Sequence, residues 1–232
     1  MKIIFNFFQN LFSFFYPRSC PACHHALQQH EQVICSHCLI HLPETDYHLF
    51  EDNPLQNTFA GRVKIEQVVS LLFYRKGNHT QQILHNLKYK GNKELGYYLG
   101  KYYGEKLSSH PIISTVDYIV PIPLHPDKLK KRGYNQSECF AQGLGEKMGK
   151  ECATDVLIRV SNAGTQTKKS RINRWENVKD AFEIADEEKL QNAHVLLCDD
   201  VLTTGATIEA AAAKLLNEKG VKVSVATLAS TI

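Results

Sequence analysis

The densest chemical signal in the chain is Val195-Leu-Leu-Cys-Asp199-Asp200-Val-Leu-Thr203-Thr204-Gly205-Ala206-Thr207. An apolar run reads as a buried strand ending in two adjacent acids, after which a Thr/Gly turn opens a helix. Ligands of open α/β sheets sit beyond the carboxyl ends of the strands. A helix start preceded by small hydroxyl residues offers free backbone N–H groups to a phosphate. Gly205 permits close approach of the backbone, and Thr203, Thr204 and Thr207 add hydroxyl donors. Two carboxylates, one on each side of the strand end, suit a vicinal diol or a metal-bound sugar. The ligand implied is a ribose carrying a phosphate. The plainer alternative, an acid that only caps the next helix, is disfavoured by two acids, three threonines and a glycine together.

A second constellation is Cys20-Pro-Ala-Cys23 and Cys35-Ser-His-Cys38. Two thiolates separated by two residues grip one metal from a tight turn, and a second pair completes a tetrahedral site. Soft sulfur ligands favour zinc or an iron–sulfur centre over hard cations. A redox dithiol would need a strand–helix junction, and neither pair follows a strand pattern. His24, His25, His30, His37 and His41 crowd the segment as substitute ligands or, more simply, as exposed residues. With four sulfurs no coordination position stays open, so a structural metal is expected.

Charge is unevenly distributed. The chain of 232 residues has a formal charge of +3, but residues 1–60 carry −3, residues 61–135 carry +8 and residues 136–232 carry −2. A polyanion should therefore meet the middle of the chain. Lys88, Lys128, Lys130, Lys131 and Arg132 are candidates there, a solvated surface face being the alternative. The polar stretch Ser161–Lys179 adds Lys168, Lys169, Arg171, Arg174 and Lys179. Trp175 and Tyr134, each beside basic residues, are candidates to stack on a base, with a packed anchor as the commoner role. Cys139, Cys152 and Cys198 read as small buried hydrophobes.

The elements that must position these groups follow from periodicity. Residues 1–16 form an amphipathic helix with Ile4, Phe8, Leu11 and Phe15 on one side; polar interruptions exclude a signal peptide. Residues 43–62 read as a linker. Strands are expected within Val63–Phe73, over Tyr118–Val120 (stopped by Pro121 and Pro123), Val156–Val160, Val195–Cys198 and Val221–Leu228. Helices are expected over His79–Leu87, Leu95–Leu107, Glu138–Met148 and Ile208–Leu216, the last closed by Gly220. Strands alternating with helices give an α/β fold, a mainly parallel sheet with helices on both faces. The division expected is a metal-binding module over 1–60 and a larger domain over 61–232. No run of about 18 apolar residues exists to cross a membrane, and an odd total of seven cysteines argues against a secreted disulfide framework. A cytoplasmic protein is expected.

The segment 195–207 resembles the signature of type I phosphoribosyltransferases, which bind 5-phosphoribosyl-1-pyrophosphate (PRPP). With the cysteine pairs ahead of it, the chain is similar to the ComF family of competence proteins, which join that fold to an N-terminal zinc ribbon. Val120-Pro-Ile-Pro-Leu-His125 with Arg132-Gly-Tyr-Asn-Gln136 is similar to the family's pyrophosphate-loop region. Gln166, Ser170, Arg174, Asn177, Ala181 and Phe182 match its flexible-loop pattern, so the resemblance covers nearly the whole chain. Lys168 and Lys169 depart from the smaller or apolar residues expected there.

The resemblance implies that Asp199 and Asp200 contact the ribose hydroxyls, directly or through Mg²⁺ arriving with the diphosphate. Residues 203–207 (Thr203, Thr204, Gly205, Ala206, Thr207) would hold the 5-phosphate. Lys88, Lys131 and Arg132 would bind pyrophosphate, and Arg174 and Lys169 would join the two acids in catalysis. It further implies structural zinc on Cys20, Cys23, Cys35 and Cys38 and a role in DNA uptake with the competence machinery. Three functions are compatible: phosphoribosyl transfer to an unknown acceptor, a non-catalytic PRPP or nucleotide sensor that binds single-stranded DNA, and a nucleotide-salvage enzyme.

Overall fold

A computed structural model describes residues 18–160 and 181–231. The expected helix over 1–16 and the stretch 161–179, with Lys168, Lys169, Arg174 and Trp175, lie outside the described residues.

Among the described residues five parallel strands form the central sheet: β1 (Val68–Phe73), β7 (Lys222–Ser230), β6 (His194–Leu202), β2 (Tyr118–Pro121) and β3 (Glu151–Cys152), in that spatial order. Parallel neighbours need crossover connections, which helices supply. Helices α2 (His79–Tyr89), α3 (Lys93–Leu107) and α5 (Gln136–Met148) cover one face. There Ile83, Leu87, Leu99, Tyr103, Phe140 and Leu144 pack on Val69, Leu196 and Leu228. Helix α7 (Ala206–Leu216) covers the other face, with Ile208, Ala211 and Leu215 on Leu197, Val223 and Val225. Burial on both sides explains why the strands read as apolar runs instead of alternating. An antiparallel pair, β4 (Leu157–Arg159) and β5 (Phe182–Ile184), packs beside α7, and the short helix α6 (Glu187–Leu190) leads from it towards β6.

Several boundaries differ from expectation. Strand β6 does not stop before its acids but continues through Asp199 and Asp200 to Leu202, because Asp199 stays in register with Thr227 of β7. Pro121 belongs to β2: it sits opposite Cys198 at the strand's end, and Ile122 supplies the next N–H to the Cys198 carbonyl. Helix α7 ends at Leu216 with Asn217 as its C-cap, and Gly220 instead forms the left-handed turn into β7. The basic run forms a short helix not anticipated, α4 (Pro126–Arg132), with proline in its first turn and Gly133 as its left-handed C-cap.

The supposed linker is packed. Leu55 and Phe59 are fully buried under the α7 face, and Asn53 donates to the Val68 carbonyl at 3.0 Å. The cysteine segment contains the short helix α1 (Ser36–Ile40) and shares one apolar cluster with α2 and α3. Asn86 donates to the Pro21 carbonyl at 2.9 Å, and Glu44 holds Tyr102 at 2.5 Å and Lys106 at 2.6 Å.

Helices α3 and α5 meet at glycines. A Cβ on Gly100 would lie 2.2 Å from the Phe140 carbonyl oxygen, and one on Gly143 would lie 2.1 Å from that of Tyr97. This contact draws α5 tightly against its neighbour and fixes where its N-terminus, Gln136 and Ser137, meets the end of β6.

Candidate functional site

At the carboxyl end of the sheet a cavity of 610 Å³ is lined by Asp199, Asp200, Thr203, Thr207, Lys88, Tyr89, Lys128, Arg132, Gln136 and Arg159, among others. It falls within the volume range of small-molecule sites. The location is the one expected for an open parallel sheet.

The acids are held from α5. Ser137 donates to Asp199 Oδ1 at 3.0 Å, and Gln136 Nε2 donates to Asp200 Oδ2 at 2.9 Å. Lys88 Nζ, reaching across from α2, lies 2.9 Å from the same Asp200 oxygen. Burial first, and the neighbouring Asp200 charge second, push the Asp199 carboxyl up to about 7. The Asp200 amide, the Ser137 hydroxyl and Lys88 oppose that rise. Near neutral pH Asp199 can therefore donate as well as accept, which suits a pair of ligand hydroxyls. Gln136 Oε1 is buried in this wall and has no hydrogen-bond partner among the described residues. A buried acceptor left unpaired is costly, and a ligand hydroxyl would satisfy it.

Beside the acids, residues 203–208 enclose a compact recess of 50 Å³ together with Asp199 and Val201. A water occupies roughly 10–15 Å³ on such a measure, so the recess has room for one tetrahedral oxyanion. Helix α7 has Gly205 at its N-cap with no side-chain cap, and its first amide to find a helical acceptor is that of Glu209. The amides of Thr204–Thr207 have no acceptor among the described residues. They and the helix dipole present positive potential to the recess. Gly205 has φ of +78°, and a Cβ there would lie 2.9 Å from the Phe59 ring and from Thr58. Arg62 braces this turn: it pairs with Glu209 of α7 at 2.7 Å and donates to the Thr204 carbonyl at 3.3 Å.

The four cysteine sulfurs form a separate cluster, all within 4.8 Å of one another, the Cys23 and Cys35 sulfurs being 3.7 Å apart. A tetrahedral site with metal–sulfur bonds of about 2.3 Å requires a similar sulfur–sulfur edge, so the residues present fit a metal such as zinc. The Glu31 carboxylate accepts from the amides of Gln28 at 2.8 Å and Ser36 at 2.6 Å, bracing the turn between the two pairs. All five neighbouring histidines are exposed.

Comparison with known proteins follows the same geometry. The phosphoribosyl transferase domain family matches residues 134–231. A DNA utilization protein of Salmonella typhi is 34% identical over 116 residues, half of each chain. Competence protein F of Haemophilus influenzae is 34% identical over 105 residues, 45% of each chain. The DNA utilization protein of Escherichia coli K12 is 27% identical over 216 residues, 92% of this chain and 90% of the relative. The chain thus spans about half the length of the first two relatives and nearly all of the third. These similarities support a ComF-family protein of phosphoribosyltransferase type.

The structure brings together Asp199, Asp200, Thr203, Thr207, Lys88 and Arg132, with Thr204, Gly205 and Ala206 in the adjoining recess. Lys131 is not among the residues lining that cavity; it lines a neighbouring recess with Lys88, Tyr89, Gly91, Lys128 and Arg132. Tyr134 is no stacking platform: it is buried, and its hydroxyl donates to the Leu87 carbonyl. Cys198 is buried in the sheet, as expected, and Cys139 is buried in α5. Gln136, Ser137, Arg62 and Arg159 were not singled out for the site from sequence, except that Gln136 closed a matched motif. Arg62 and Arg159 lie far from the signature in sequence and have no spacing that marks them.

Proposed function

We propose that this protein binds PRPP at the end of β6 and transfers its phosphoribosyl group to an acceptor, in the service of DNA uptake. The observation that carries this reading is the joining of paired carboxylates, an uncapped helix mouth and a cationic wall around one cavity. The 5-phosphate sits in the recess of residues 203–207, and the ribose hydroxyls lie against Asp199, Asp200 and Gln136. The diphosphate faces Lys88, Lys128, Arg132 and Arg159. Arg174 and Lys169 are assigned, from the sequence pattern alone, to charge stabilisation on the leaving group.

In the transfer, the bond from ribose C1 to pyrophosphate breaks as a bond from the acceptor forms, and pyrophosphate leaves. The protein's part is to hold the sugar and to stabilise the charge growing on the diphosphate; positioned donors of that kind are worth roughly 3–4 kcal/mol each. Lys88 exchanges Asp200 for the diphosphate, freeing that carboxylate for the ribose. Magnesium, when bound with the diphosphate, neutralises part of its charge, and Asp199 and Asp200 would hold it through its waters.

Zinc is assigned to Cys20, Cys23, Cys35 and Cys38 as a structural ion. Residues 1–60 are proposed as a module built on that metal and 61–232 as the PRPP-binding domain. A cytoplasmic location is consistent with no described helix being long and apolar enough to cross a membrane. The names of the relatives favour DNA uptake over nucleotide salvage.

The test is calorimetry of the full chain with PRPP and Mg²⁺, followed by a screen for pyrophosphate release with nucleobase, nucleotide and DNA acceptors. Replacement of Asp199 and Asp200 together by Ala is expected to weaken PRPP binding at least a hundredfold. Unchanged binding would overturn the site; binding without turnover on any acceptor would favour the sensor over the enzyme.

A further inference from the structure

The recess beside the main cavity shares Lys88, Lys128 and Arg132 with the diphosphate wall and adds Lys131 and an exposed Tyr89, to which the PRPP reading gives no role. Its volume is 320 Å³, and it is lined by Lys88, Tyr89, Gly91, Lys128, Lys131 and Arg132. Four of these six residues are cations and none is acidic. Lys88 is paired with Asp200, but Lys128, Lys131 and Arg132 have no carboxylate partner among the described residues. Unpaired cations gathered around one concavity repel each other and attract an anion. Tyr89 is 63% exposed, large for an aromatic side chain, and the Arg132 guanidinium lies 5.8 Å from its ring centroid. Planar guanidinium and phenol groups are the surfaces on which a heterocycle stacks.

Two features separate this recess from the PRPP cavity while keeping them continuous. Lys88, Tyr89, Lys128 and Arg132 line both, whereas Lys131 and Gly91 line only the recess. A ligand in the recess therefore approaches the same diphosphate wall from outside, without displacing Asp199, Asp200 or the α7 mouth.

We propose that this recess is a second ligand site, for a nucleoside phosphate: Lys131 holds the phosphate, together with Lys128 and Arg132, which it shares with the diphosphate wall, and Tyr89 carries the base. The proposal deepens the PRPP reading by giving the acceptor a phosphate of its own, which a free nucleobase lacks. Two sources share this chemistry, a mononucleotide and the phosphorylated end of a single strand.

Calorimetry at 0.15 M salt on the full chain distinguishes them. The probes are dTMP, thymidine, a short oligothymidylate with a 5′-phosphate, the same oligomer with a 5′-hydroxyl, and Mg²⁺·PRPP, each titrated into wild type and Lys131→Glu. The proposal expects dTMP or the phosphorylated oligomer to bind at least tenfold more tightly than its phosphate-free counterpart. Lys131→Glu should weaken that ligand at least tenfold and PRPP, which feels residue 131 only through the shared wall, by a clearly smaller factor. The source is mononucleotide if dTMP equals the phosphorylated oligomer, and strand end if the oligomer binds more tightly.

Equal affinity for phosphorylated and phosphate-free probes overturns the proposal, as does no binding of any nucleotide. So does equal weakening of nucleotide and PRPP by Lys131→Glu, which would make the recess part of the diphosphate site. Loss of PRPP binding in wild type, with the nucleotide result intact, would instead overturn the PRPP reading and leave the recess standing.

Discussion

Asp199 carries a cost that can be measured apart from any ligand. Its carboxyl is held at about 7, against an ordinary 3.8, by burial and then by Asp200. Between those values the folded protein binds more protons than the unfolded chain, so this residue's contribution to stability falls as pH rises through that window. Above about pH 7 the folded state must keep a buried charge. Asp199→Asn removes the charge and keeps an acceptor for Ser137. Thermal melts should show the variant more stable than wild type by about 4 °C or more at pH 8, with the gap shrinking by more than half at pH 5. A gap of the same size at both values would mean that Asp199 ionises normally. The two acids and the threonines were legible in sequence because they are contiguous. Ser137, Gln136 and Arg62 were not read as their partners, because hydrogen bonds across 62, 64 and 142 residues leave no local pattern.

At the level of elements, the site depends on where α5 begins, and that depends on its contact with α3. Gly96, Gly100 and Gly104 recur at helical spacing along α3 and face α5, which contributes Gly143. At Gly100 and Gly143 the contacts are against backbone carbonyls, which cannot rotate away as a side chain can. Gly143→Ala should therefore force the helices apart and cost about 3 kcal/mol or more, at the upper end for overpacking; urea unfolding at neutral pH checks this. A loss under about 1 kcal/mol would show the interface to be looser than described. The helical and strand periods gave β1, β2, β6, β7 and the covering helices because burial dominates those segments; they missed the two-residue edge strand β3, and the strand expected over 156–160 pairs antiparallel with β5 outside the main sheet. They failed for α4, where seven mostly exposed residues have no apolar face, and for residues 43–62, whose prolines and acids resemble a linker although Leu55 and Phe59 anchor them.

For the molecule as a whole, the cysteine cluster and the sheet are parts of one packed body. Cys20, Cys35 and Cys38 belong to the same apolar cluster as α2 and α3, whose first member presents Lys88 to the site. Removing a metal from these sulfurs should therefore be felt well beyond the module. A strong chelator is expected to lower the melting temperature by about 5 °C or more and to release close to one equivalent of zinc. Purified protein with no metal and freely titrating thiols would contradict the assignment. The central claim, that a sugar phosphate docks where β6 meets α7, is tested most directly by backbone amide NMR during titration with PRPP and Mg²⁺. The amides of residues 203–207, with those of Asp199 and Asp200, should show the largest shifts and saturate together. If these amides stay unmoved while the ligand saturates elsewhere on the protein, the account is contradicted.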